Sequence, residues 1–93
     1  MLEVDTYWAE VGGVPAAALL ERLGDRVRFL HVKDGAVTQD DQDQVAVGSG
    51  ALDIAAILAA APQAQQVVEL DGFAGDVFDA LRDSVTYLNG VRA

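Results

Sequence analysis

The sequence predicts an α/β fold in which three parallel strands alternate with three helices. Three short runs rich in aliphatic and β-branched residues are each followed by a segment of helical periodicity, with turn residues in between. Strands joined through a helix return to the same edge of the sheet, so they are expected to lie parallel. The 93 residues suit one small domain, residues 1–93, and are too few for two.

The first strand is predicted at Leu2–Trp8, and a helix at Pro15–Leu23 follows the break at Gly12-Gly13. Proline is favoured in the first turn of a helix, and Gly24 supplies the left-handed residue that commonly ends one. The second strand is predicted at Val27–Lys33. These segments form the first strand–helix unit and begin the second.

A polar, solvated loop is predicted over Gly35–Gly50, followed by a helix at Asp53–Ala61 that Pro62 ends. The third strand is predicted at Gln66–Asp71 and the last helix at Gly75–Asn89. Apolar residues recur in this helix at spacings of three, four and three, which predicts a stripe that faces the core. The stripe consists of Phe78, Leu81, Val85 and Leu88.

Composition excludes several classes of function. The net charge of −9 disfavours binding to nucleic acid or to an anionic membrane surface, and the absence of cysteine removes disulfides and thiolate chemistry. The acidic segment Met1–Asp5 does not fit a signal or transit peptide, and no apolar run approaches the ~18 residues of a membrane span. We therefore expect a cytoplasmic chain with neither nucleic-acid nor membrane partners.

Ionisable side chains occur near the C-terminal ends of all three predicted strands, the edge at which parallel α/β folds place their sites. Side chains alternate along a strand, so these residues share one face of the sheet while the apolar positions between them face the helices. The ionisable set is Asp5, His31, Lys33 and Glu69.

Asp5, His31 and Glu69 together predict a divalent-metal site, because two carboxylate oxygens and one imidazole nitrogen can converge on one ion. Such a donor set suits Mn²⁺, Co²⁺, Fe²⁺, Zn²⁺ or Mg²⁺ better than copper. Lys33 projects from the same face and can neutralise charge that develops on a substrate oxygen. Asp34 is expected to hold a loop or Lys33.

Each of these residues also has a simpler structural interpretation. A carboxylate such as Asp5 often caps a loop or a helix N-terminus, a strand histidine such as His31 is often a hydrogen-bonded structural residue, and Lys33 is often solvated. The level position of Asp5, His31 and Glu69 on three strands favours the metal site over these interpretations.

Three further features of the sequence carry weaker functional signals. The aspartates within Asp40–Asp43 lack the glycine and terminal glutamate of an EF-hand loop, so calcium is not expected there. The segment Gly48–Gly50 can offer backbone amides to a phosphate, although this spacing is common in plain turns. Tyr7 and Trp8 can stack on a sugar ring, but aromatic residues at strand ends more often belong to the core.

Four runs of the sequence carry a family resemblance: Val4-Asp5-Thr6-Tyr7-Trp8, Leu30-His31-Val32-Lys33-Asp34, Val47-Gly48-Ser49-Gly50-Ala51-Leu52-Asp53 and Val67-Val68-Glu69-Leu70-Asp71. Together they resemble the C-terminal part of the sugar phosphate isomerase/epimerase family, which has the xylose-isomerase-like (β/α)8, or TIM, barrel. The resemblance covers nearly all of the chain and implies a partial barrel. It also implies that Asp5, His31 and Glu69 match three of four metal ligands, and that Glu69 matches one of two catalytic carboxylates.

The resemblance further implies metal-dependent isomerisation or epimerisation of a small carbohydrate or sugar phosphate, by proton transfer next to a carbonyl through an enediolate. The metal would be Mn²⁺, Co²⁺, Mg²⁺ or Zn²⁺. The family's fourth ligand, a glutamate on an earlier strand, is expected to lie outside this chain, which alone should be nearly inactive. Trp8 and Ser49 stand where relatives often have histidine and glutamate, so the sugar is left unspecified.

Two further classes of function stay open beside the isomerase. A noncatalytic barrel fragment can serve as a structural module that self-assembles, since three strands cannot close a barrel and leave two open edges. A homo-oligomer or a complementing N-terminal barrel half is therefore the expected protein partner. An open, flavodoxin-like sheet that binds a small ion without chemistry is a weaker possibility.

Overall fold

The computed structural model describes residues 1–92 and shows a mixed α/β fold around an open, parallel sheet. The strands are β1 (Leu2–Asp5), β2 (Val27–Val32), β3 (Asp34–Gly35), β4 (Gln44–Val45) and β5 (Gln65–Val68). The helices are α1 (Thr6–Val11), α2 (Ala16–Leu23), α3 (Ile54–Ala60) and α4 (Val77–Arg92). Strand β2 lies between β1 and β5, parallel to both, while β3 and β4 form a short antiparallel pair. The predicted α/β class and its three parallel strands are confirmed.

The hydrophobic core lies between one face of the sheet and the helices, as the alternation of side chains predicts. Val4, Leu30 and Val32 on that face are buried, and Val68 packs against them. The helices cover these strands with apolar side chains that include Ala16, Leu20, Ile54, Ile57 and Leu58. On the opposite face of the same strands Glu3, Phe29 and Val67 are exposed, and the candidate site lies at the edge of that face.

The first strand ends at Asp5, so the prediction that it continues to Trp8 is wrong. The Asp5 carboxylate accepts hydrogen bonds from the backbone N–H groups of Tyr7 (3.1 Å) and Trp8 (3.0 Å). An aspartate in this arrangement caps a helix N-terminus and satisfies its first free donors. The chain therefore turns into α1, a fourth helix that the sequence pattern did not predict.

The third strand also ends early, at Val68 rather than at Asp71. Beyond this point the backbone N–H of Asp71 donates to the side chain of Gln44 (2.8 Å) instead of to a neighbouring strand. The loop that contains Gln44 is correspondingly less solvated than predicted, since Gln44 and Val47 are buried. The predicted loop Gly35–Gly50 therefore packs partly into the interior.

Helix α4 turns a different face to the core than its apolar stripe predicts. Phe78 is 77% exposed and Val85 is 50% exposed, whereas Leu88 is buried as predicted. The buried face instead carries Ser84, whose hydroxyl accepts from the backbone N–H of Val47 (2.9 Å) and donates to the carbonyl of Ala80 (2.7 Å). The hydrogen bond from Val47 ties the Ser84 face of α4 to the interior, and part of the apolar stripe lies outside.

Across residues 1–92, no helix combines the length and the apolarity that a membrane crossing requires.

Candidate metal site

Polar side chains come in pairs, two residues apart, at the C-terminal ends of the three parallel strands. The pairs are Glu3 and Asp5, His31 and Lys33, and Glu69 and Asp71. Asp5 lies opposite His31 in the register of β1 and β2, and His31 lies opposite Val67 in β5. Strand alignment therefore brings the ends of all three strands to one level.

The three predicted metal ligands meet at this edge. One carboxylate oxygen of Asp5, one imidazole nitrogen of His31 and one carboxylate oxygen of Glu69 lie within 4.8 Å of one another. His31 Nδ1 is 3.3 Å from Glu69 Oε1 and 3.8 Å from Asp5 Oδ2. One nitrogen and two carboxylate oxygens form a donor set that can hold a divalent ion. Among residues 1–92, Asp5, His31 and Glu69 form the group of three potential metal ligands whose donor atoms lie this close together.

The imidazole of His31 is held between opposing acidic groups. Its Nε2 lies 3.3 Å from Glu3 Oε1, on the side away from Asp5 and Glu69. A carboxylate beside one ring nitrogen commonly fixes the proton there and leaves the other nitrogen as the ligand. Nδ1 faces oxygens of Asp5 and Glu69, and a cation between these three atoms would be coordinated by all of them.

Lys33 occupies the centre of the carboxylates, with a side chain that has no solvent-exposed surface. Its ammonium donates to Asp5 Oδ2 (2.8 Å), Glu69 Oε1 (2.8 Å) and Asp71 Oδ2 (2.6 Å). Burial acts to lower the pKa of Lys33, but the hydrogen bonds to Asp5, Asp71 and Glu69 outweigh it and raise this pKa above the ordinary lysine range. The interpretation of Lys33 as a solvated residue is wrong, because three carboxylates hold it inside.

Asp71 anchors Lys33 from the far side of the cluster. Its Oδ2 also accepts from the indole Nε1 of Trp8 (2.8 Å) and the amide of Gln44 (3.2 Å). The hydrogen bond from Lys33, reinforced by those from Trp8 and Gln44, outweighs partial burial and lowers the pKa of Asp71. Asp71 thus joins α1, β4 and the end of β2 through one oxygen atom.

Glu3, Gln44 and Asp71 were not predicted as site residues. The signal for two of them lies in the sequence, since Glu3 and Asp71 each stand two positions from a predicted ligand. Alternation along a strand places residues i and i+2 on one face. Gln44 had no comparable signal, because it reaches the site from a loop in the middle of the chain.

Carboxylates outnumber basic groups at this edge of the sheet. Four carboxylates, those of Glu3, Asp5, Glu69 and Asp71, contact either Lys33 or His31. One lysine cannot balance four negative charges, so the cluster keeps a surplus of negative charge even with its ammonium in place. A positively charged ligand is therefore favoured here.

The glycine segment does not form the phosphate site that the sequence allows. The backbone N–H groups of Gly48 and Gly50 both donate to Asp34 Oδ2 at 3.0 Å, and those of Gly35 and Leu52 donate to Asp34 Oδ1 at 2.8 and 3.1 Å. Asp34 is buried and takes the place that an external anion would need. Its predicted role in holding a loop is confirmed.

The acidic loop and the two aromatic residues of α1 have separate structural roles. In the loop, Asp40 accepts from the backbone N–H of Gln42 (2.9 Å) and Asp43 accepts from the hydroxyl of Thr38 (2.7 Å), as in ordinary turns. Tyr7 is fully buried, as an aromatic core residue would be. Trp8 differs, because its ring lies beside the cluster with its centroid 5.6 Å from the Lys33 ammonium.

Comparisons with protein-family models, with curated proteins and with solved structures found no match to this chain.

Proposed function

We propose that this chain is a divalent-cation-binding α/β module that supplies part of the active site of a metal-dependent sugar or sugar phosphate isomerase or epimerase. The observation that carries the proposal is the convergence of Asp5, His31 and Glu69 within 4.8 Å at the C-terminal edge of parallel strands. The sequence resemblance to the sugar phosphate isomerase/epimerase family supports the reaction class, and the open three-stranded sheet is consistent with a partial barrel.

Each ligand has a defined role in this proposal. A bound divalent metal would act as a Lewis acid toward a sugar carbonyl and its adjacent hydroxyl. Asp5, His31 and Glu69 would hold the ion, and Glu69, whose side chain is 40% exposed, would also accept the proton next to the carbonyl. Lys33, which contacts Glu69 in this structure, would keep a positive charge near the substrate oxygen that gains negative charge.

The module alone is expected to turn over little substrate. Epimerisation moves a proton from one face of a carbon to the other, which calls for an acid and a base on opposite sides of the substrate. Apart from the proposed ligand Asp5, the carboxylate that shares Lys33 with Glu69 is Asp71, which already accepts from Lys33, Trp8 and Gln44. A second acid/base has to come from another segment or another chain.

Calorimetric titration with Mn²⁺ tests the metal site directly. We expect the unmodified chain to bind Mn²⁺ and His31→Ala to lose about tenfold or more of the affinity, because even the loss of a group that only orients a ligand has an effect of this size. Asp41→Ala, in the acidic loop, is the matched control and should bind as the parent does. Equal Mn²⁺ affinity in His31→Ala and in the parent would show that the proposed site does not exist.

The reaction class is tested by mixing the chain with the N-terminal half of a barrel of this family, supplied as a separate polypeptide. Aldose–ketose isomerisation or epimerisation should appear in the mixture when Mn²⁺ is present and vanish in Glu69→Gln. Robust turnover by the 93-residue chain alone would contradict the expected need for a second acid/base.

A second candidate function, a noncatalytic assembly module, is favoured by apolar surface near the site. Phe29 and Val67 are partly exposed on the face of the sheet opposite the core, and Phe78 and Val85 are exposed on α4. Light scattering distinguishes the two candidates. Oligomers that persist without metal and dissociate in Phe29→Ser favour assembly, whereas a monomer that binds Mn²⁺ favours the metal-site proposal.

A further inference from the structure

We infer, on the basis of the proposed metal site, that Lys33 is a built-in counter-cation that competes with the metal, and that Asp71 is the acceptor that retains Lys33 when the metal binds. The pair would then set both the affinity and the selectivity of the site. Lys33 would thus oppose metal binding and Asp71 would assist it, although neither residue belongs to the proposed metal triad.

The competition follows from the identity of the oxygen atoms. Lys33 Nζ donates to Oδ2 of Asp5 and Oε1 of Glu69, and the contacts of His31 Nδ1 are to the same two oxygens. A divalent ion at a coordination distance of about 2.1 Å from each oxygen would lie close to the ammonium. Two cations that share the same oxygens repel each other strongly inside a protein, so metal binding requires Lys33 to move.

The acceptor that Lys33 keeps is defined by the shortest of its three contacts. Lys33 Nζ lies 2.6 Å from Asp71 Oδ2, and Asp71 is not one of the triad residues. Trp8 and Gln44 hold Asp71 in place from α1 and β4, independently of Asp5 and Glu69. The ammonium can therefore withdraw toward Asp71 without becoming an unpaired buried charge, which would be costly.

Selectivity for divalent ions follows from the same exchange. An entering ion has to replace an ammonium that already carries one positive charge, so a monovalent ion gains little from the exchange. A divalent transition-metal ion brings a larger charge and also takes an imidazole nitrogen such as His31 Nδ1 as a ligand, an interaction that Na⁺ and K⁺ do not favour. Na⁺ and K⁺ should therefore fail to displace Lys33 where Mn²⁺ succeeds.

A double-mutant cycle over Lys33→Met and Asp71→Asn, with Mn²⁺ affinity measured by calorimetry, tests the inference. Lys33→Met should bind Mn²⁺ about tenfold or more tightly than the parent, and Asp71→Asn about fivefold more weakly, because its Lys33 has lost its alternative acceptor. The same Asp71→Asn change should alter the affinity by less than about threefold when Lys33 is already Met. Arg28→Met, an exposed position on β2, is the control for the loss of one positive charge.

The fluorescence of Trp8 provides a second measurement, because this is the single tryptophan of the chain and its indole donates to Asp71. Mn²⁺ and Mg²⁺ should each change the emission of the parent, whereas Na⁺ at the same ionic strength should not. In Lys33→Met the Mg²⁺-induced change should be largely lost, since no ammonium moves beside the ring. Mg²⁺ serves here because it does not quench fluorescence through unpaired electrons.

The outcomes separate this inference from the proposed metal site. Mn²⁺ binding by the parent that is weaker or unchanged in Lys33→Met overturns the competition while leaving the site intact. Absence of binding in both proteins overturns the site itself. If Lys33→Met folds only when Mn²⁺ is added, as seen by circular dichroism, the metal replaces the ammonium and the inference is supported. If Lys33→Met does not fold even with Mn²⁺, the test rests on Asp71→Asn. Mn²⁺ binding by Asp71→Asn that is as tight as in the parent, or tighter, then overturns the inference.

Discussion

The ammonium of Lys33 lies 2.6 Å from Oδ2 of Asp71, and this contact joins the end of the central strand to the segment that follows the edge strand β5. Trp8 and Gln44 donate to the same oxygen, so elements distant in sequence meet at one carboxylate. Charge-assisted hydrogen bonds of this kind are stronger than neutral ones. The geometry of the site therefore depends on the charge of Asp71 as well as on the sheet.

The first prediction concerns stability in acid and follows from the lowered pKa of Asp71. A carboxyl group whose pKa is lower in the folded protein than in the unfolded chain stabilises the fold fully above the unfolded value, near ~4. Its contribution is lost as the pH falls from there through the folded value. In urea titrations, the parent should exceed Asp71→Asn in free energy of unfolding by a constant amount near about pH 7, and this difference should shrink below about pH 4.

Lys33 does not interfere with that comparison, because its raised pKa keeps it charged throughout the acidic range. Asp40→Asn, at an exposed loop position, controls for the loss of a carboxylate elsewhere. A difference between the parent and Asp71→Asn that stays constant down to about pH 2.5 would show that the Lys33–Asp71 contact does not lower the pKa of Asp71.

The parallel sheet and its apolar face were predictable because strand–helix alternation and side-chain alternation are local properties of the sequence. Val4, Leu30 and Val32 are buried on the predicted face. Ends of elements were less predictable, since they depend on particular hydrogen bonds. Asp5 ends β1 by capping α1, and Ser84 holds its face of α4 toward the core by accepting a hydrogen bond from the Val47 N–H. Neither bond can be inferred from hydrophobic periodicity.

The candidate triad was predictable from strand ends, whereas the environment of Lys33 was not. A lysine two positions after His31 was expected on the same face, but its burial depends on Asp71, which contacts it and is itself held by Gln44. Both residues lie outside the three parallel strands. The phosphate interpretation of the glycine segment failed for a similar reason. Asp34 already binds the amides of Gly48 and Gly50, and only the folded chain brings them together.

The second prediction concerns the loop that Asp34 organises. The buried carboxylate of Asp34 accepts four backbone hydrogen bonds, and Asp34→Ala would leave those donors without their acceptor. We expect a loss of about 3 kcal/mol in the free energy of unfolding, measured with urea. Asp53→Ala removes a carboxylate that caps a single exposed amide and should cost about 1 kcal/mol or less.

Gly50 offers an independent check on the same loop. A β-carbon at this position would lie within van der Waals overlap of the Asp34 carboxylate, so Gly50→Ala has to push the carboxylate away. This variant should be destabilised as Asp34→Ala is, and the double variant should be little worse than either one. Fully additive losses would contradict a shared mechanism.

The third prediction concerns the face that α4 turns to the core. Leu88 is buried, and its truncation to alanine should cost about 2–4 kcal/mol through lost contacts and a cavity. Phe78 belongs to the same apolar stripe but is 77% exposed, so Phe78→Asn should change the stability by about 0.5 kcal/mol or less. Thermal unfolding at low protein concentration measures both. A large loss in Phe78→Asn would indicate that the stripe is covered in solution.

The last prediction concerns the hydroxyl of Thr6, which fixes the backbone of Lys33. The Thr6 hydroxyl donates to the Lys33 carbonyl (2.8 Å) and accepts from the Lys33 N–H (3.0 Å), and both residues are fully buried. Thr6→Val keeps the shape of the side chain but removes both hydrogen bonds. Because two backbone groups lose these partners away from water, we expect a loss of about 1–3 kcal/mol in the free energy of unfolding.

Thr6→Ser separates the hydroxyl from the methyl group in this prediction. Serine keeps the two hydrogen bonds and loses one methyl group, so it should be more stable than Thr6→Val and should retain the Mn²⁺ affinity of the parent. Thr6→Val should bind Mn²⁺ more weakly, because the hydroxyl ties the end of β1, with Asp5, to the end of β2, with His31 and Lys33. Urea titration and calorimetry on the three proteins provide the measurements. If Thr6→Val matches the parent in both, the hydroxyl bridge does not align the two strand ends, and the parallel register of Asp5 with His31 has to be maintained by the sheet alone.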